Sequence, residues 1–235
     1  MTQGGQGSDQ STDGTLALGP PLTPAMFVKP RFRGRLHQFT FWLTFPATLL
    51  LIVAGSHASS YVAAALYGAS MALLFGASAA YHRGKWTPRV RAFMQRLDHA
   101  MIFVLIAGTY TPITLLALRP GWGITLLAIV WTIAAIGVTL TIVLWNWTDR
   151  HAGVLYIAFG WLAVVALPVI VHSLTTPELI LMGAGGVLYT LGAIGFGREW
   201  PTLRPRTFGY HEAWHVMTVA AAACHYTMIL LLIRA

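Results

Sequence analysis

The segment FGYHEAWHVM, residues 208–217, places His211 and His215 four residues apart with Glu212 between them. On a helix that spacing puts both imidazoles on one face, about one turn apart. The pattern H-E-x-x-H binds zinc in soluble metallopeptidases, where the Glu is the general base. Such enzymes take a third ligand from downstream. Ten residues beyond His211 stands Ala221, and no Asp or Glu follows Glu212. A peptidase is therefore disfavoured, and a further ligand has to come from upstream. There Ser78 and His82 repeat the four-residue spacing, and Asp98 follows. Three imidazoles with one open position form the pattern of a catalytic zinc site. His82, His211 and His215 are the candidate metal ligands. Asp98 is the candidate to hold or deprotonate a metal-bound water, and Ser78 to hydrogen-bond that water or a substrate.

Each residue also has a plainer role. His82 alone reads as an interfacial side chain, Asp98 as a cap on the helix it begins, and Ser78 as a small packing residue. Glu212 is either the base or, the preferred reading, a capping or supporting group. His225 lies about 21 Å beyond His211 along a helix axis, too far to share a metal, and reads as a buried hydrogen-bonding residue. His99 reads as structural. His37, His57, His151 and His172 fall near the expected membrane interfaces and need no special role.

The elements that must position these groups are apolar. Of 235 residues, 56% are hydrophobic and 9% charged, with mean hydropathy +0.65. Soluble domains carry about 25% charged residues, so the chain reads as an integral membrane protein. Seven apolar runs, near 37–55, 61–82, 97–118, 123–145, 153–171, 178–196 and 211–233, each approach the ~20 residues that span a bilayer. Short connections predict antiparallel neighbours, and no period-two alternation points to a β-barrel. Small residues in GASMALLFGAS and GAGG predict close helix approach. Pro46 and Pro168 predict kinks, as does GTYTP at 108–112 inside the third run. Residues 1–26, rich in Gly, Ser, Thr, Gln and Pro, read as a disordered tail before one membrane domain over 27–235. The single cysteine, Cys224, excludes an internal disulfide.

Orientation follows from Lys and Arg. With the N-terminus cytoplasmic, the inner segments hold Lys29, Arg31, Arg33, Arg35, Arg83, Lys85, Arg89, Arg91, Arg96, Arg150, Arg198, Arg204 and Arg206. Only Arg119 and Arg234 remain outside. A net charge of +8 then marks loops facing an anionic leaflet, not a nucleic-acid partner. The fold class is an all-α seven-transmembrane helix bundle, N-terminus cytoplasmic and C-terminus outside, in a multi-pass cell membrane protein. This topology, built from cations alone, puts His82, Asp98, His211 and His215 at the same cytoplasmic face.

The same residues carry a resemblance. SAAYH at 78–82, LDHAMIFVLIAGTYTP at 97–112, and GYHEAWH followed by CHY resemble the hemolysin III family, which is similar to the adiponectin and progestin receptors and more distantly to the alkaline ceramidases. The resemblance runs from about residue 27 to the end. It implies a seven-helix bundle with zinc on His82, His211 and His215, a water near the metal contacted by Asp98, and Ser78 beside it.

Three functions are compatible with these residues. The favoured one is a zinc-dependent hydrolase of a lipid amide or ester at the cytoplasmic leaflet, with membrane lipid as environment and substrate. The second is a hemolysin-type membrane-perturbing or pore-forming protein. No ring of charges and no amphipathic channel-lining helix supports it. The third is a receptor-like protein in which zinc is structural.

Overall fold

A computed structural model of the protein describes residues 30–204 and 206–235. The expected disordered tail, residues 1–26, and Lys29 lie outside them. The described residues form eight α-helices: α1 (Arg35–Ala54), α2 (Ala58–Arg83), α3 (Pro88–Pro112), α4 (Pro120–Val143), α5 (Trp145–Gly160), α6 (Leu167–Ser173), α7 (Thr176–Gly197) and α8 (Tyr210–Arg234). Among them the one trace of β-structure is an isolated bridge between Arg204 and Phe208.

Proline and local caps set the helix starts. Pro88, Pro120, Pro168 and Pro177 occupy first-turn positions, where the missing N–H costs nothing. His57 Nδ1 accepts the Ser60 N–H to cap α2, and Glu178 Oε2 accepts the Thr175 N–H at 2.7 Å to cap α7. At the end of α4, the Arg96 guanidinium donates to the Ile142 carbonyl at 2.8 Å, covering an otherwise unpaired helix terminus.

Six helices are long and apolar enough to cross a membrane: α1, α2, α3 with its extension, α4, α7 and α8. The fifth span, where Pro168 predicts a kink, is broken. The run at 153–171 is not one straight helix. It starts at Trp145, passes from α5 into a 3₁₀ turn at Trp161–Val164, and resumes as α6 with a 58° bend. Pro168 sits in the first turn of α6, so it begins a new helix after the break. Tyr110 makes the break tolerable in an apolar environment. Its hydroxyl donates to the Gly160 carbonyl at 2.8 Å and accepts the Ala163 N–H at 2.6 Å. Two backbone groups released by the break are thereby satisfied. Tyr110 belongs to GTYTP, the stretch expected to be irregular, and after Pro112 α3 continues as a π-helical turn, Ile113–Ala117.

The bundle packs α1 on α2, α2 on α3, α3 on α4 and α7 on α8. Small residues supply the close approaches. A side chain at Gly68 would collide with Thr48, at Gly108 with Ser70, and at Gly137 with Phe103. In the GAGG stretch only part of the expectation holds: Gly185 receives the His225 ring, whereas Gly183 faces open space. Large apolar side chains left exposed, among them Phe39, Trp42, Leu49 and Ile124, suit a lipid surround. Connectivity places the starts of α1, α3, α5 and α8 and the ends of α2, α4 and α7 at one end of the bundle. The described basic residues other than Arg119 and Arg234 also belong to that end.

Two outcomes are expected. Tyr110→Phe leaves a buried N–H and carbonyl unpaired, and should lower stability in detergent by about 1–3 kcal/mol, read as a fall in Tm. With Cys224 replaced by Ala, cysteines at Lys85 and Arg204 should label from the cytoplasmic side and one at Ala235 from the opposite side. Labelling of all three from one side would break the span count.

Candidate metal centre

Four helices deliver the polar groups to the cytoplasmic-type end. The last turns of α2 carry Ser78 and His82, α3 carries Asp98 about three turns in from Pro88, so that it does not cap the helix, and the first turns of α8 carry His211 and His215. The start of α1 adds His37. His82, His211 and His215 can offer ring nitrogens that all lie within 4.8 Å of one another. The Nε2 atoms of His82 and His211 are 3.1 Å apart. Asp98 Oδ2 approaches His82 Nε2 at 3.5 Å. Ser78, His82 and His215 are buried. The structure thus brings together residues 82, 98, 211 and 215, as the spacing and topology predict.

Ser78 is next to the cluster but bonded to something else. Its Oγ lies 2.8 Å from His37 Nδ1. His37 in turn stacks on His215, with ring centroids 3.7 Å apart and planes inclined by 14°. His37, expected near an interface with no special role, is buried inside the cluster. The missed signal was topological. The cation pattern that gathers the other histidines at one face also puts the start of the first apolar run there.

Glu212 answers the H-E-x-x-H question. It is buried, and both carboxylate oxygens are engaged: Oε1 accepts from the Arg33 Nε–H and Oε2 accepts the Gly209 N–H at 2.8 Å. It caps α8 and pairs with Arg33 from the turn before α1, so both oxygens are held in structural contacts. The preferred capping reading holds. Arg33 is followed by Gly34, whose φ of 75° is one that favours glycine. A side chain there would also strike His82. The Arg31 N–H bonds the Arg206 carbonyl at 3.2 Å. Residues 31–34 therefore lie across the end of the cluster.

The other described histidines meet backbone groups, and His99 also lines the cavity beside the cluster. His99 Nδ1 meets the Gln95 carbonyl at 2.9 Å, and His225 Nε2 the Met182 carbonyl at 3.2 Å. His151 and His172 bond carbonyls one turn back.

A cavity of about 200 Å³ opens beside the cluster, lined by His37, Ser78, Asp98, His211 and His215 and, on α5, by Asp149, Ala152, Gly153 and Tyr156. It shares Leu74, Ile102, Tyr156, Ala193, Trp214 and Thr218 with a second space of about 160 Å³. That second space runs deeper into the bundle and is walled by apolar residues of α3, α5 and α7, including Leu105, Ile106, Ile113, Ile157 and Met182. Asp149 and the cavity itself were not legible from spacing.

Three imidazoles converging without a proton or a cation between them would face one another with like lone pairs. Together they could hold one metal ion. The purified protein is expected to carry about one such ion per chain, and metal analysis of His211→Ala should find it sharply reduced. Equal, near-zero metal in both would sink the site.

Comparison with known proteins agrees with this geometry. The profile of the family described as Haemolysin-III related matches residues 25–226. The chain is 38% identical over 208 residues to a protein named Hemolysin-3 from Bacillus cereus, covering 87% of this chain and 92% of that relative. It is 30% identical over 197 residues to the Hemolysin-3 homolog of Bacillus subtilis (strain 168), covering 83% of this chain and 89% of the relative. A helical bundle of membrane-crossing length, with His37, His82, His211 and His215 gathered at one end, is thus joined to matches across nearly the whole chain: the protein is a multi-pass membrane protein of the haemolysin III family.

Proposed function

We propose that the protein binds zinc through His82, His211 and His215 and hydrolyses an amide or ester of a membrane lipid from the cytoplasmic leaflet. The observation that carries this reading is that the cavity at the histidines and the apolar space beneath it share six lining residues and so lie side by side. A polar headgroup linkage and an acyl chain need that pair of environments side by side.

The donors fit zinc. Tetrahedral Zn–N bonds of about 2.0–2.1 Å hold two ligand nitrogens about 3.3 Å apart, close to the 3.1 Å between His82 and His211. Three neutral imidazoles leave one position open, as hydrolytic zinc sites require. When bound, zinc would polarise a carbonyl and make a water acidic near neutral pH.

The chain's own residues do the rest. Asp98 and Asp149 are the two carboxylates at the cavity wall, and Asp98 is the one that contacts a candidate ligand. It accepts the proton that the attacking water loses and returns it to the leaving amine or alkoxide. Ser78 lines the same wall and hydrogen-bonds the reacting carbonyl. Tyr156 and Trp214 stand where polar cavity becomes apolar, so they position the linkage relative to its tail. Entry is lateral, between α5 and α7. Gly160, Gly183 and Gly186 line the deeper space there, and residues 31–34 cover the site from its end.

The Bacillus cereus relative's name carries a haemolysin label, which invites a pore-forming reading. An aqueous path needs polar lining through the whole membrane depth. The cavity here is polar only at one end, so the hydrolase reading is preferred. A receptor-like protein with structural zinc, as in the similarity to adiponectin receptors, uses the same donors and is separated by turnover.

The test is a panel of a ceramide-like amide and a phospholipid ester with wild type, Asp98→Asn and Glu212→Gln. Asp98→Asn should keep its zinc and lose about 10²–10⁴-fold in rate, because an amide still hydrogen-bonds but accepts no proton. Glu212→Gln should keep turnover per folded molecule while losing about 1–3 kcal/mol of stability, because it weakens the cap and the pair with Arg33. Loss of rate only in Glu212→Gln would move the base role to that residue. Full zinc occupancy with no wild-type turnover would favour the structural-zinc reading.

A further inference from the structure

We infer that His37 is a positioning residue with two separable tasks: one face holds the His215 ring in its metal-binding orientation, and its Nδ1 edge fixes the Ser78 hydroxyl toward the cavity. The inference rests on the zinc reading above and extends it to a residue outside the ligand set.

The Ser78 bond is unusual for this bundle. Thr40, Thr44, Ser70, Thr111, Thr141 and Thr218 are also buried hydroxyls on spanning helices. Each donates to a carbonyl three or four residues earlier on its own helix. That is the ordinary resting place of a hydroxyl in an apolar surround. Ser78 instead reaches across from α2 to α1, with Oγ 2.8 Å from His37 Nδ1. Both side chains are almost fully buried, at 2% and 3% exposure, and both line the cavity. The role requires His37 Nδ1–H to donate to Oγ; the bond then fixes the serine rotamer and leaves the single Oγ–H proton free. The remaining hydrogen-bonding capacity of Oγ is then held beside the candidate metal position instead of being spent on α2.

The ring contact is the second task. The His37 and His215 rings are nearly parallel at 3.7 Å, and the edge of Phe75 meets His37 from the side at 5.0 Å. His37 is therefore clamped, and it clamps His215 in turn. A ligand ring held in one orientation loses less freedom when it binds a metal, which is how outer residues tune metal affinity.

The two tasks predict opposite phenotypes for two isosteric changes. His37→Phe keeps a flat ring against His215 and removes the bond to Ser78. His37→Asn keeps a polar atom near the Nδ1 position and removes the ring. Zinc affinity is measured by chelator competition. At saturating zinc, affinity is then measured for palmitoyl hydroxamic acid, a metal-directed probe with an acyl tail that requires no turnover. His37→Phe should bind zinc within about threefold of wild type. It should bind the hydroxamate about tenfold more weakly, as should Ser78→Ala, the worth of one ordinary hydrogen bond. The His37→Phe/Ser78→Ala double variant should be no weaker than either single one. His37→Asn should show the reverse: about tenfold weaker zinc binding with hydroxamate affinity near wild type. Wild-type hydroxamate affinity in His37→Phe, additive losses in the double variant, or unchanged zinc affinity in His37→Asn would each overturn the assignment. If one His37 variant fails to fold, the other still decides its own task. A wild type that binds zinc and hydroxamate but cleaves no lipid would remove the hydrolase reading and leave this role standing.

Discussion

Ionisable side chains at membrane depth are stable only when they satisfy one another. In this protein that constraint acts at a single end of the bundle. His82 meets His211 and Asp98, His37 meets Ser78 and His215, and Glu212 meets Arg33 and the Gly209 N–H. The contacts of His82 and of His37 join different helices, and Arg33 ties the turn before α1 to α8. Together they tie α1, α2, α3 and α8 at this end, and deeper in the bundle the Tyr67 and Tyr226 hydroxyls add bonds to the Ala222 and Ala47 carbonyls. The register of the four helices is therefore set largely by the polar cluster, because a shift of one turn would strand several buried polar groups at once.

The same logic explains the irregular fifth span. A helix that unwinds inside an apolar surround exposes backbone groups that lipid cannot satisfy. Tyr110 takes the Gly160 carbonyl and the Ala163 N–H on one hydroxyl, and α3, the helix that carries Tyr110, itself changes to π-helical pitch just beyond Pro112. The break and the π-turn face each other across the deeper cavity, which both Tyr110 and Ile113 line. An unbroken α5 would run straight past this region. The bend, and the glycines on α7 opposite it, leave the space that the functional proposal assigns to an acyl chain.

Glu212 shows how a motif can keep its residues and change its chemistry. In H-E-x-x-H the Glu is one position from a ligand and roughly a quarter-turn around the helix. Here that direction leads to Arg33 and the helix cap, not to the cavity. Asp98, from another helix, stands at the cavity wall instead. Two candidate carboxylates of similar intrinsic chemistry are thus separated by environment alone. One is used up by a cation and a backbone N–H, and the other faces the histidines.

Much of this was legible in the sequence. Charge scarcity and the lengths of the apolar runs settle a helical membrane protein, because an apolar solvent demands helices of fixed minimum length. The i, i+4 spacings of Ser78 with His82 and of His211 with His215, combined with the asymmetry of Lys and Arg, put the ligand set at one face before any coordinates. Those signals are local or additive, so a linear reading captures them. The form of the break in the fifth span, where Pro168 predicts only a kink, the contacts of His37 and the open role of Glu212 fell outside that reach. Whether α5 breaks depends on a tyrosine fifty residues upstream. Whether His37 matters depends on the rings of α2 and α8 that it meets. Whether Glu212 is a base depends on which way its carboxylate is drawn by Arg33, 179 positions away. Each is a contact between groups distant in the chain, and only the packed bundle sets the distances and directions on which hydrogen bonds and ring stacking depend.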